Sequence, residues 1–157
     1  MSFLRYFLLL VMSFSLLSCG ADDDICTQSE GSPRIKLKFK DSNNKLIQLP
    51  QLFVDVDYGS GEKNVIKQSL VDSVLIPLKI DGSGYTDLVI RTTETGNKSK
   101  IRIKYTEQTE YVSPACGIRK LYKDLKPELT TPNPVTNLQP NQSEIINENK
   151  THLYLIF

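Results

Sequence analysis

Strict alternation is the feature that most limits what this chain can fold into. From Pro33 it reads Pro-Arg-Ile-Lys-Leu-Lys-Phe-Lys, with Ile35, Leu37 and Phe39 on one face and Lys36, Lys38 and Lys40 on the other. A period of two fits a half-buried strand and gives a helix no continuous apolar stripe. Lysines along the polar face suit an edge strand, where charge discourages pairing with another chain. The pattern recurs at 52–58, where Leu52, Val54, Val56 and Tyr58 point inward and Asp55 and Asp57 point to solvent. Val74–Ile80 reads as a more buried strand in which Pro77 marks an edge or a bulge. Tyr85–Arg91 and Lys100–Tyr105 follow, the latter with Ile101, Ile103 and Tyr105 on one face.

Turn residues punctuate these runs at 41–44, 59–61, 81–84 and 95–97, and Asp81–Gly84 reads as a hairpin loop. Between Cys116 and Leu125 the reading stays open. Ile118, Leu121, Tyr122 and Leu125 fit i, i+3, i+4, i+7, so a short helix competes with a strand. Residues 127–143 hold Pro127, Pro132, Pro134 and Pro140 among Asn, Thr and Gln, and read as a long surface loop. The last residues, His152-Leu-Tyr-Leu-Ile-Phe157, are too apolar to be left in water, and read as a strand added after a long crossover. Short strands separated by turns predict a mainly β fold over 33–157: a single antiparallel β-sandwich, Greek-key and Ig-like.

The first nineteen residues follow a different logic. Arg5 is the one charged side chain before an apolar run from Tyr6 to Leu17, interrupted by Ser13 and Ser15. Twelve helical residues reach about 18 Å, short of the roughly 30 Å hydrocarbon core, so the run fits a signal-peptide h-region better than a span. It ends in Leu16-Leu17-Ser18-Cys19, which looks like a bacterial lipobox: aliphatic at −3, small at −1, then the obligatory Cys. That resemblance implies cleavage after Ser18 and a membrane anchor of acyl chains on Cys19. Two or three chains hold stably where one is marginal, at about 0.8 kcal/mol per buried methylene. Loss of Arg5 brings the 19 Lys and Arg to parity with the 18 Asp and Glu, so lipid and not charge would hold the chain to a membrane.

Residues 19–32 form a leader, and its Asp22-Asp23-Asp24 run resembles the acidic export signal of Bacteroidetes-type lipoproteins. The expected location is the outer membrane, cell-surface exposed, with the periplasmic face as the alternative. With Cys19 acylated, Cys26 and Cys116 remain as an even pair in an oxidising compartment and are expected to form a disulfide, the alternative being two free thiols. Closing a loop of about 90 residues would stabilise the fold by roughly 4–5 kcal/mol in the chain-entropy model.

Candidate chemistries are sparse. Asp55 and Asp57 stand about 7 Å apart along one strand face, a spacing open to calcium or to glycoside hydrolysis, though a solvated face accounts for them. Asp81–Gly84 lacks the further acidic ligands of a calcium loop. His152 has no Gly-x-Ser-x-Gly partner and reads as a strand-end histidine. Lys36, Lys38 and Lys40 make a basic stripe without interleaved aromatics, so no nucleic-acid partner is expected. No metal, cofactor or catalytic residue is assigned. Asp72-Ser73-Val74 resembles the Bacteroidetes O-glycosylation motif, which would make Ser73 an acceptor.

Together, the lipobox, Asp24-Ile25-Cys26, the strand led by Pro33, Val112-Ser113-Pro114-Ala115-Cys116-Gly117 and the terminal His152–Phe157 resemble an uncharacterised Bacteroidetes lipoprotein family of unknown function. That resemblance implies location and fold, and no activity. Two function classes follow. One is a non-catalytic binding or accessory module with an envelope protein or glycan as partner. The other is a surface hydrolase acting on glycan or peptide.

Overall fold

The computed structural model describes residues 31–157; residues 1–18, Cys19, Asp22, Asp23, Asp24 and Cys26 lie outside the described residues. The described chain is strand and loop: β1 Ile35–Lys40, β2 Leu49–Asp57, β3 Glu62–Val71, β4 Ser73–Ile76, β5 Tyr85–Arg91, β6 Ser99–Ser113, β7 Gly117–Thr131, β8 Asn137–Pro140 and β9 Leu153–Ile156. They form two sheets, in the order β4-β1-β9-β8 and β3-β2-β5-β6-β7.

One buried cluster draws on both sheets. Ile35, Leu37 and Phe39 from β1 and Leu153 and Leu155 from β9 meet Leu52, Val54, Leu88, Ile90, Ile101 and Ile103 from the larger sheet. Alternation therefore selects the inner face of β1 as expected, and each such side chain contributes about 1.5–3 kcal/mol by leaving water. Phe157 closes one end, edge-on to Phe39 at 6.0 Å between ring centroids.

Several expectations need correction. β1 is not an edge strand, because it lies between β4 and β9. Its lysines line the solvent face of an inner strand, where Lys40 stacks on the Tyr154 ring at 4.2 Å. Nor are the sheets wholly antiparallel, since β1 and β9 pair in parallel, with Leu37 opposite Leu153 and Lys40 opposite Ile156. The first and last strands share no tight turn, so nothing forces them to run in opposite directions. Asp81–Gly84 is not a hairpin loop. It carries the chain from β4 in one sheet to β5 in the other, with Gly82 and Gly84 at positive φ.

Cys116–Tyr122 begins with the tip of a hairpin and continues as strand β7, so the helical alternative falls. The stretch 127–143 is not one loop either, since β7 runs to Thr131 and β8 occupies Asn137–Pro140. Pro127 and Pro140 misled because β7 and β8, in which they lie, are both edge strands, where a missing N–H costs no ladder bond; Pro127 sits opposite Ile103. The link from β8 to β9 is also anchored. Ile145 is fully buried and exchanges backbone hydrogen bonds with Tyr122, at 2.8 and 3.2 Å.

Candidate functional site

The inward faces of β2, β5 and β6 are consumed by the core, so distinctive chemistry falls to their outward faces. Alternation puts Phe53, Asp55 and Asp57 there from β2, Tyr85, Asp87, Val89 and Arg91 from β5, and Lys100, Arg102 and Lys104 from β6. The register aligns them in rows. Asp55 faces Val89, which faces Lys100; Asp87 faces Arg102, which faces Glu128.

Asp55 corrects the expectation of a solvated aspartate. It is 6% exposed, and Arg91 Nη2 donates to its Oδ2 at 2.6 Å while Asn64 Nδ2 donates to Oδ1 at 2.7 Å. Phe53 is buried beside it, beneath the guanidinium of Arg91 and the ammonium of Lys67. A residue skipped in the β2–β3 register, Val65, puts Asn64 opposite Asp55. Asp57 turns elsewhere, its Oδ1 accepting from the backbone N–H groups of Gly59 and Gly61. The two aspartates therefore serve different partners: one is in a buried ion pair and the other caps a turn.

Val89, 3% exposed, lines a depression of about 340 Å³ that opens between Asp57, Glu62, Asp87, Lys100, Arg102 and Thr130. Arg102 makes a two-pronged contact with Asp87, Nε to Oδ1 and Nη2 to Oδ2, both 2.7 Å. Those bonds, and then the charge of Asp87, raise the guanidinium pKa above its ordinary value. Arg102 also lies over the Tyr85 ring at 4.3 Å. Lys98 and Lys100 reach Glu62, and Lys104 reaches Glu128 at 2.7 Å. The face is thus a lattice of opposite charges around an apolar floor. Such a lattice can offer either sign to a ligand by small rotations of side chains.

The other sequence candidates lie apart from this face. His152 is 3% exposed, and its Nδ1 accepts the Lys36 backbone N–H at 2.9 Å, so the ring stands in for a ladder partner just before β9. Burial first lowers its pKa, opposed by a hydrogen bond with the Asn147 backbone. Asp81 is held down at about 2 by hydrogen bonds from Ser83, side chain before backbone, with Lys79 assisting. Ser73, half-buried on β4, donates to Asp72 at 2.9 Å. Cys116 is disulfide-bonded, while Cys26, its expected partner, lies outside the described residues. Among the described residues, no group of three His, Cys, Asp or Glu could hold a metal ion.

Two features escaped sequence reasoning. One is the face itself, although Asp87-x-Val89-x-Arg91 against Lys100-x-Arg102-x-Lys104 on adjacent strands was a readable signal. The other is a buried polar clamp. Tyr105 donates to the Lys79 carbonyl at 2.8 Å, and the Lys79 N–H donates to Thr86 Oγ1 at 2.9 Å. With the Tyr105 proton so used, the 2.7 Å contact between the two hydroxyls has Thr86 as donor. Burial raises the Tyr105 pKa and pushes that of Tyr122, edge-on to it, up to about 12. Both are structural phenols, fixed and neutral.

No curated protein and no solved structure matches the chain. A family model does match, over residues 56–157, and so takes in everything from the end of β2 to the C-terminal strand, including β5, β6 and the hairpin that bears Cys116. The chain therefore belongs to that family, described as a family of unknown function (DUF6452).

Proposed function

We propose that the chain is a lipid-anchored outer-membrane lipoprotein of the Bacteroidetes type, serving as a non-catalytic binding or accessory module in an envelope complex. The lattice of paired charges on the larger sheet carries this reading, because it suits recognition better than proton transfer. A hydrolase of glycan or peptide would need one free acid and one free base across a cleft. Here Asp55 and Asp87 answer to arginines, and Glu62 and Glu128 to lysines. The proposed ligand is an envelope protein or a glycan whose polar groups replace one partner in these pairs.

In the same reading, residues 1–18 are the signal peptide and 19–32 the leader, with Asp22, Asp23 and Asp24 as export signal. Residues 33–157 are a Greek-key, Ig-like β-sandwich stapled by Cys26 and Cys116. The core shared by both sheets and the disulfide-bonded Cys116 support it. Ser73 is its O-glycosylation acceptor.

A photo-crosslinking residue at Thr130 of the acylated protein, activated in intact cells, tests the site. We expect a defined adduct that Arg102→Ala strongly reduces. An adduct unchanged by Arg102→Ala, or capture from the outer face of the smaller sheet alone, would contradict the assignment.

A further inference from the structure

The β6–β7 hairpin extends past the core. No residue from Thr106 to Lys120 is buried, and near the tip Tyr111 faces Ile118 across the ribbon, each 64% exposed. Directly opposed residues share a face, so the pair forms one apolar patch. It caps a ribbon whose remaining charges are largely matched, Arg119 with Glu110 and Lys120 with Glu107.

Two observations tie this tip to the start of the domain. Cys116, two residues from Ile118, is disulfide-bonded. Ser32 Oγ accepts the backbone N–H of Lys120 at 2.8 Å, so the chain enters the domain along the same hairpin. From Lys120 back to Cys116 is at most about 13 Å of chain. The six residues from Ser32 to Cys26 span up to about 20 Å, which brings Cys26 within reach of Cys116. The seven residues from Cys26 to Cys19 add at most about 25 Å.

Resting on the lipid-anchor reading, we infer that the hairpin tip, through Tyr111 and Ile118, inserts into the headgroup layer of the membrane that holds the acyl chains of Cys19. A tyrosine suits that depth, with its ring among acyl carbons and its hydroxyl among headgroups. The tip then fixes the domain's orientation at the membrane.

The sequence has no tryptophan, so one can be introduced as a sole reporter. Acylated full-length protein carrying Tyr111→Trp is reconstituted into phosphatidylethanolamine–phosphatidylglycerol vesicles with brominated acyl chains. Ile118→Trp serves as a second reporter. Leu70→Trp, on the opposite edge strand β3, serves as the reference. We expect blue-shifted, bromine-quenched emission from both hairpin reporters and solvent-like emission from the reference. If the protein floats with vesicles but the hairpin reporters stay solvent-like, the tip insertion is wrong and the anchor stands. Equal quenching at all three positions would also overturn it. If the protein fails to float, the lipid-anchor reading falls and takes this inference with it.

Discussion

His152 shows how one side chain can look catalytic and be structural. Its Nδ1 must be unprotonated to accept the Lys36 N–H, and burial lowers its pKa, with the charges of Lys36 and Glu148 pulling in opposite directions. The unfolded chain therefore takes up this proton at a higher pH than the folded one. The resulting stability is fully present above about 6.5 and is lost as pH falls through the folded value. Urea melts between about pH 7.5 and about pH 5 should show it, and His152→Gln, which keeps an acceptor without the titration, should flatten the slope across that range. Asp55 and Arg91 make a second case. Arg91→Met leaves a carboxylate buried without its cation and should cost about 3–5 kcal/mol, whereas adding Asp55→Leu should recover much of the loss. Equal stability of the single and double variants would contradict the buried pair. Neither environment was legible locally, because His152 is completed by Lys36 and Asp55 by Arg91, both far off in the chain.

Among the elements, β9 is the most consequential. It lies between β1 and β8 and buries Leu153 and Leu155, while Phe157 packs on Phe39. Truncation after Lys150 removes those side chains, strips β1 of its parallel partner and deletes His152. At about 1.5–3 kcal/mol for each buried apolar side chain, the loss rivals a domain's whole stability of about 5–15 kcal/mol. We expect no cooperative thermal transition from the truncated chain; an intact one would make the strand a dispensable tail. The faces of β1, β6 and β9 were readable because alternation is local. Strand neighbours were not. That β1 is an inner strand depends on β4 and β9 arriving beside it, and that Pro127 lies within a strand depends on β7 being an edge. The outward charge pattern of β5 and β6 was visible in sequence, but its meaning required the register that sets Asp87 against Arg102.

For the whole molecule, the reading joins three parts: an acylated N-terminus, a disulfide-fastened hairpin and a charge-paired binding face. The second part has its own check. Non-reducing peptide mapping should recover Cys26 joined to Cys116, and Cys116→Ser should lower the melting temperature without abolishing the fold. Recovery of Cys26 as a free thiol would refute the pairing. The anchor decides the account most directly, because location, orientation and the choice of partner all follow from it. Mass spectrometry of the N-terminal peptide from the cell envelope should find a mature chain that starts at Cys19 and bears thioether- and amide-linked acyl chains, with Cys19→Ala released from the membrane fraction. An N-terminal peptide that retains residues before Cys19, or an unmodified Cys19, would contradict it.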